Sequence, residues 1–234
     1  MIAPTLACAN YLELQKDIEA MDRAGTEFYH IDIMDGHYVP NVCLNFEFIE
    51  AVRSVSTTPM DVHLMVTNPM DYIGRLSDCG VQYVSAHADV LREDVEYFIQ
   101  KVHKYNMKAG VALAPEDTVE QVIPYLKKLD YVLVMFVKPG FAGQSFQEAQ
   151  LTKVEQLRRL REEQKLSFLI EADGGIGWDN IGRLKEAGVD IAVAGVFAVF
   201  DQKETLYEST VKFRNLSNEQ KTTEKRGSEH DGAA

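Results

Sequence analysis

Eight short apolar runs recur along the first 195 residues of the chain, and amphipathic stretches separate them. The runs are rich in Val, Ile and Tyr, and they are continuously apolar instead of alternating with polar residues. Parallel strands covered by helices have this character because both faces of such strands are buried. The runs occupy residues 2–8, 28–34, 60–66, 83–87, 108–114, 131–137, 168–172 and 190–195.

The stretches between the runs have helical periodicity. Residues 11–24 place four apolar side chains close to one helix face, namely Leu12, Leu14, Ile18 and Met21. Further helices are predicted over residues 92–105, 117–129, 147–164 and 178–187. Eight strand–helix units predict a single α/β domain, a (β/α)8 TIM barrel, over residues 1–215.

An open doubly wound sheet is the alternative architecture. Such a sheet would show a glycine fingerprint after its first strand, and none follows residues 2–8. Residues 216–234 lose the apolar period and are rich in polar side chains, so we predict a disordered C-terminal tail there.

The charge and the cysteines limit the class of protein. Acidic residues outnumber basic ones by 36 to 24, and the net charge of −12 argues against a nucleic-acid-binding face. Three separated cysteines without a CxxC pair suit a reducing compartment. The first ten residues lack a signal-peptide pattern, and no apolar run approaches the ~20 residues of a membrane span. We therefore expect a cytoplasmic protein that binds neither nucleic acid nor membrane.

Polar residues at the ends of the second, third and seventh runs indicate a metal site. His30 and Asp32 lie two residues apart, so they share one face of a strand. His63 and Asp173 end the other two runs, and active sites of such barrels lie at the carboxyl ends of the strands. Each residue alone would suggest an ordinary hydrogen-bonded histidine or a helix-capping aspartate. Together they favour a divalent cation, because two buried carboxylates without one would be costly.

Glycines in the last three strand-to-helix loops indicate a phosphate site. They occur in residues 138–144, in residues 173–177 and at Gly195. Glycine lets the backbone approach an anion and turn its N–H groups toward it, and barrels often bind phosphate in the last two loops. Tight turns alone would also explain either motif. A negatively charged chain must catch a phosphate locally, which favours the binding interpretation.

Met34, Met65 and Met135 lie at or near run ends, where they would either pack in the core or form an apolar wall around reacting carbons. His87 ends the fourth run, and we expect it to support the site without binding the metal. His37 and His103 are expected to be structural or exposed.

The motifs of the chain resemble those of the ribulose-phosphate 3-epimerases. The matching segments appear in family order up to about residue 200. They are residues 2–4, 30–41 (HIDIMDGHYVPN), 61–66 (DVHLMV), 108–115 (KAGVALAP), 132–146 (VLVMFVKPGFAGQSF) and 170–176 (IEADGGI).

This resemblance implies a barrel enzyme that epimerises a ketose phosphate at C3. One divalent metal ion (Zn, Mn, Fe, Co or Mg) would be held by His30, Asp32, His63 and Asp173, and Asp32 and Asp173 would also be the acid/base pair. Inverting a carbon beside a carbonyl requires proton transfer on both faces, which agrees with two carboxylates. Together with the possible apolar wall of Met34, Met65 and Met135, the resemblance predicts a substrate site that contains Thr5, His63, Gly140, Phe141, Ala142, Gly143, Gly174, Gly175, Gly195 and Val196. It also implies a homo-oligomer.

Departures from the family pattern affect the choice of sugar. Cys8, Asn45-Phe46-Glu47 and Ala142, with residues 66–73 (VTNPMDYI), look closer to the D-allulose-6-phosphate 3-epimerase branch, so we lean toward interconversion of D-allulose 6-phosphate and D-fructose 6-phosphate. The alternative pair is D-ribulose 5-phosphate and D-xylulose 5-phosphate. Val196 and Phe197 replace small or hydroxyl residues, which keeps a non-catalytic sugar-phosphate-binding protein as an alternative. A Schiff-base aldolase is disfavoured because no strand lysine faces the site.

Overall fold

The computed structural model describes residues 1–200 and 203–218. Its strands form one sheet in the order β1-β9-β8-β7-β6-β5-β4-β2-β3, and all neighbours are parallel except β2 and β3. The strands are β1 (Ile2–Pro4), β2 (Tyr29–Asp35), β3 (Val42–Cys43), β4 (Met60–Met65), β5 (Tyr83–His87), β6 (Lys108–Leu113), β7 (Tyr131–Met135), β8 (Leu169–Asp173) and β9 (Ile191–Ala194).

A parallel bridge between Thr5 and His30 joins the end of β1 to β2. Since β1 also pairs with β9, this bridge closes the eight parallel strands into a barrel. The predicted α/β barrel is therefore confirmed, and all eight predicted runs contain a barrel strand. The short β3 was not predicted, because two residues that include the exposed Val42 carry no apolar pattern.

Helices surround the barrel and cover the outer faces of the strands. In α2, for example, the Asn45 side chain accepts a hydrogen bond from the Phe48 backbone N–H at 3.0 Å and so caps the N-terminus. Gly188, with φ of 114°, ends α7 in the left-handed conformation that favours glycine. The α-helices are α1 (Leu14–Arg23), α2 (Phe46–Val55), α3 (Ile73–Asp78), α4 (Ala88–Leu91), α5 (Val95–Lys104), α6 (Leu151–Glu163), α7 (Ile181–Ala187) and α8 (Leu206–Asn218).

Two helix predictions differ from the structure. Over residues 117–129 the chain forms only the short 3-10 turns Val119–Gln121 and Ile123–Tyr125. Pro124 lacks an N–H and disfavours the α conformation of the residue before it, so a continuous helix does not form. The first helix begins at Leu14 instead of residue 11, and Leu12 is 95% exposed instead of facing the core.

Helix α8 continues to Asn218, three residues beyond the predicted domain boundary. The rest of the predicted tail, residues 219–234, lies outside the described residues. Within the described part of the chain, no helix is both long enough and apolar enough to cross a membrane.

Candidate metal centre

The structure brings the four predicted metal ligands to one point at the carboxyl ends of the strands. Parallel pairing places Asp32 of β2 directly opposite His63 of β4, and His30 lies two residues earlier on the same face of β2. Asp173 is the last residue of β8. One potential ligand atom from each residue lies within 4.8 Å of the other three.

Two buried nitrogen atoms in this cluster have no hydrogen-bond partner. His30 Nε2 and His63 Nδ1 each lie 3.4 Å from Asp32 Oδ1, but neither contact has hydrogen-bond geometry. They lie 4.0 Å and 3.9 Å from Asp173 Oδ2. Ligands bound about 2.1 Å from one ion lie roughly 3–3.5 Å apart at neighbouring positions. The cluster therefore fits a divalent cation, which would satisfy nitrogens that are costly to bury unpaired.

The second nitrogen of His30 is held by a buried polar network inside the barrel. His30 Nδ1 lies 2.7 Å from Asp61 Oδ2, and the Tyr131 hydroxyl donates to Asp61 Oδ1 at 2.6 Å. Glu171 Oε1 lies 3.6 Å from His30 Nδ1. Burial, with the neighbouring charge of Asp61, raises the pKa of Glu171 well above its usual range. A carboxylate acceptor at Nδ1 keeps the proton there and leaves Nε2 free for a cation.

Two residues of the network did not stand out in the sequence as site residues. Asp61 and Tyr131 both fall inside apolar runs, and they are 70 residues apart, so no local pattern links them. Gly110 makes room for the tyrosine, because a Cβ at Gly110 would lie 2.4 Å from Tyr131 Cζ. A glycine within a strand marks such a close approach and could have indicated the site.

The two carboxylates of the cluster have opposite electrostatic character in the protein without a cation. Burial would raise the pKa of Asp32, but His30 and His63 outweigh burial and hold that pKa well below its usual range. Burial raises the pKa of Asp173 to about 6, opposed by His30 and aided by the charge of Asp32. The Thr5 hydroxyl donates to Asp32 Oδ2 at 2.7 Å. Near neutral pH, Asp32 is ionised and Asp173 can exchange a proton.

His87 lies directly against the metal cluster. Its Nε2 is 2.8 Å from Nε2 of His63, and burial lowers the pKa of His87 well below its usual range. His37 is exposed and bonds to Asp35, and His103 pairs with Asp130 at 2.6 Å outside the cluster.

A cleft opens above the cluster and contains the other predicted substrate residues. His63 lies beneath it and does not line it. The predicted residues that line the cleft are Thr5, Asp32, Met34, Met65, Met135, Gly140, Phe141, Ala142, Gly143, Asp173, Gly174, Gly175, Gly195 and Val196. Three lining residues did not stand out in the sequence and look like ordinary core residues: Ala7, Val137 and Val193. Gln144 and Ile176 also line the cleft, and they belong to the two glycine-rich loops that the sequence marked.

Gly174 and Gly175 form a bare stretch of backbone on one side of the cleft. Both have positive φ, 109° and 65°. A Cβ at Gly174 would lie 2.5 Å from Val137 Cγ2, and one at Gly175 would lie 2.7 Å from the Phe146 backbone nitrogen. Within the described residues, neither backbone N–H donates a hydrogen bond. Unpaired N–H groups without side chains are suited to bind an anion.

Comparison with known proteins links this geometry to one group of enzymes. A family model described as "Ribulose-phosphate 3 epimerase family" matches residues 1–200. The ribulose-phosphate 3-epimerase of Bacillus subtilis is 36% identical over 210 residues, which cover 88% of this chain and 96% of that protein. The enzyme of the same name from Aquifex aeolicus is 33% identical, covering 92% and 96%. The cytoplasmic isoform of rice is 37% identical, covering 83% and 85%.

Solved structures with low sequence identity share the fold. The structure titled KGPDC from Streptococcus mutans has a TM-score of 0.68 at 14% identity and covers 92% of this chain and 95% of that one. A tryptophan synthase α-subunit from Pyrococcus furiosus has a TM-score of 0.66 at 12% identity, with 92% and 96% covered. At these identities the likeness supports the barrel architecture only.

Proposed function

The chain belongs to the ribulose-phosphate 3-epimerase family, and on that premise we propose that it inverts C3 of D-ribulose 5-phosphate to form D-xylulose 5-phosphate, and the reverse. Its relatives are isomerases that act on carbohydrate phosphates. The observation that carries the proposal is the pair of carboxylates, Asp32 and Asp173, which lie beside His30 and His63 and both line one cleft.

Enzymes of this family use a divalent metal ion. In our proposal His30 Nε2, His63 Nδ1 and one oxygen each of Asp32 and Asp173 hold it. When bound, the ion supplies Lewis acidity that stabilises negative charge on the substrate oxygens. The mixed nitrogen and oxygen ligands suit Zn, Mn, Fe or Co, and Mg is the remaining candidate.

The two carboxylates would divide the proton transfers. Asp32 is the ionised acceptor that removes the C3 proton from one face, and Asp173 returns a proton to the other face. In the reverse direction the roles exchange. Thr5 would orient Asp32, because its hydroxyl occupies Oδ2 and leaves Oδ1 toward the two histidines.

The phosphate of the substrate would bind the bare backbone of Gly174 and Gly175, beside Gly195 and Val196. Because the Val196 side chain has no hydroxyl to donate, we assign the phosphate contact to backbone N–H groups. Among the described residues that line the cleft, Lys138 is the cationic one. The phosphate supplies binding energy that holds C3 between the two acids.

The hexose pair D-allulose 6-phosphate and D-fructose 6-phosphate is the second candidate. Cys8 lines the cleft and Ala142 lies in its glycine-rich loop, so two of the departures that motivate this preference are near the substrate. The three relatives compared above are named ribulose-phosphate 3-epimerases, and the preference for allulose 6-phosphate stays a prediction without their support. Self-association and a cytoplasmic location also stay predictions.

Solvent exchange of the C3 proton tests reaction, sugar and metal together. Each sugar phosphate is incubated with the purified protein in D2O, with and without EDTA, and deuterium at C3 is followed by NMR. We expect metal-dependent exchange with a higher kcat/KM for the pentose pair. A preference for the hexose pair would transfer the assignment to allulose 6-phosphate. Binding of both sugars without exchange, even with added metal, would instead indicate a non-catalytic binding protein.

A further inference from the structure

His63 and His87 lie side by side in the interior beside the metal centre. Both side chains are fully buried, and their Nε2 atoms are 2.8 Å apart. A hydrogen bond between two imidazoles contains one proton, so one ring must donate and the other must accept. Which ring donates depends on what the other nitrogen of each ring does.

Cation binding by His63 determines which of the two rings donates this hydrogen bond. His63 Nδ1 points into the cluster, 3.4 Å from Asp32 Oδ1, and it has no hydrogen-bond partner. A nitrogen that binds a metal ion carries no proton. His63 must therefore carry its proton on Nε2 and donate it to His87 Nε2. His87 then carries its own proton on Nδ1.

We propose that His87 is a positioning residue that fixes the tautomer and the ring orientation of His63 for cation binding. This role rests on the metal centre of the proposed function. His87 does for His63 what Asp61 does for His30, although His87 is a neutral acceptor and Asp61 is a carboxylate. In this arrangement His63 binds the cation through Nδ1 and His30 binds it through Nε2. The nitrogens differ because His87 contacts Nε2 of His63, whereas Asp61 contacts Nδ1 of His30.

The surroundings of His87 hold its ring in place. His87 ends β5, two residues after Ser85, which pairs with His63 in the sheet. The ring packs against Tyr38 with centroids 5.0 Å apart, and the Tyr38 hydroxyl donates to Asp89 Oδ1 at 3.0 Å. These contacts limit rotation of the His87 ring away from His63.

The acidic side chains near His87 agree with a proton on Nδ1. His87, Asp89 and Asp117 carry potential ligand atoms within 4.8 Å of one another. Nδ1 is the nitrogen that remains after the contact with His63, and it has no partner within the described residues. The two carboxylates favour the N–H that the tautomer requires.

Metal affinity without sugar tests the positioning role. We compare His87→Leu, which removes the acceptor, with His87→Gln, whose amide oxygen can accept from His63. His103→Gln is the control, since His103 pairs with Asp130 outside the cluster. Mn²⁺ and Co²⁺ are titrated into the metal-free protein against a competing chelator. We expect His87→Leu to weaken binding by about 10–100-fold, and His87→Gln to stay within about threefold of the unchanged protein.

The tautomer of His63 is measured directly by 15N NMR on the histidine-labelled protein, with the signal assigned by its loss in His63→Gln. We expect the Nε2–H form in the unchanged protein and in His87→Gln. A neutral His63 ring with its proton on Nδ1 in the metal-free protein would overturn the proposal, even if His87→Leu does not fold. Equal loss of metal affinity in both His87 variants would also overturn it. Neither measurement uses a sugar, so failure of the epimerase assignment is recognised separately by the deuterium exchange.

Discussion

At the scale of single residues, the site depends on two aspartates with different environments. Asp32 receives a hydrogen bond from Thr5 and lies 3.4 Å from two histidine nitrogens. Asp173 lies farther from both histidines and has no such donor within the described residues. Positive neighbours and hydrogen bonds favour the ionised form of a carboxyl group, and burial disfavours it. The same residue type therefore has opposite pKa shifts at two positions of one cluster, and our proposal gives the two residues the roles of base and acid.

Replacing Asp173 by Asn should abolish epimerisation, because an amide cannot exchange the proton that C3 requires. We expect the rate of conversion of D-ribulose 5-phosphate to D-xylulose 5-phosphate to fall by at least about a hundredfold, the lower range of a general acid–base contribution. Asp179→Asn is the matched control on an exposed side chain nearby. If Asp173→Asn keeps normal epimerisation while remaining folded, the two-acid assignment is wrong.

The raised pKa of Asp173 also has a consequence for stability without metal. The folded protein holds the Asp173 proton more tightly than the unfolded chain, since its pKa is raised from 3.8 to about 6. Ionisation of Asp173 therefore costs stability above pH 6, and this cost disappears as the pH falls toward 4. In EDTA at pH 8, Asp173→Asn should raise the free energy of unfolding by about 1–3 kcal/mol. Urea denaturation at pH 8 and pH 4 checks this; a gain of equal size at both pH values contradicts it.

At the scale of elements, strand β6 supports the metal site from the interior of the barrel. Gly110 of β6 leaves space for the Tyr131 ring, and Tyr131 donates to Asp61, which holds His30. A side chain at position 110 would meet the aromatic ring and not solvent. A change at Gly110 would therefore affect His30, a candidate cation ligand, through Tyr131 and Asp61.

Gly110→Ala should destabilise the protein, because the new Cβ would lie 2.4 Å from Tyr131 Cζ. We expect a loss of about 1–3 kcal/mol in the free energy of unfolding, as for other overpacked cores, together with weaker metal binding. Gly182→Ala in α7 is the control, because a Cβ at Gly182 would meet no neighbouring atom within 4 Å. That change should stabilise by about 0.5–1 kcal/mol through helix propensity. Thermal and urea denaturation distinguish the two; equal effects would contradict the packing argument.

At the scale of the whole molecule, the metal centre joins parts of the chain that are far apart in sequence. The four candidate ligands lie on β2, β4 and β8, and the Thr5–His30 bridge that closes the barrel ends beside them. The site therefore exists only when the barrel is closed. A ligand that binds the folded state and not the unfolded chain stabilises the fold by mass action.

Removing the metal should lower the thermal stability of the whole barrel. A cation at a hundred times its Kd contributes about 2.7 kcal/mol, which corresponds to roughly 5–10 °C in Tm for a domain of this size. Scanning calorimetry with added Mn²⁺ and then with EDTA measures the difference. His63→Gln should have the lower Tm both with Mn²⁺ and with EDTA. If EDTA does not change the Tm of the metal-loaded protein, the result would argue against the metal centre.

The sequence by itself determined the eight strands, the barrel and the four candidate ligands, because each is marked by a local pattern of apolar and polar residues. The sequence also marked the glycines that line the cleft. The predicted helix over 117–129 is wrong although the sequence contains the signal against it, because Pro124 lacks an N–H and disfavours the α conformation of the residue before it. Local sequence patterns predict the structure of a segment correctly where burial alone determines its conformation.

Only the tertiary structure decided how the ligands are supported. The contacts of His30 with Asp61, of Asp61 with Tyr131 and of His63 with His87 link residues 24 to 70 positions apart. Strand register and barrel closure set these contacts, and neither leaves a periodic trace in the chain. The opposite pKa shifts of Asp32 and Asp173 have the same origin, because they depend on which charges surround each carboxylate in space. The sequence thus identifies the candidate ligands, whereas packing in three dimensions determines which of their atoms carry protons.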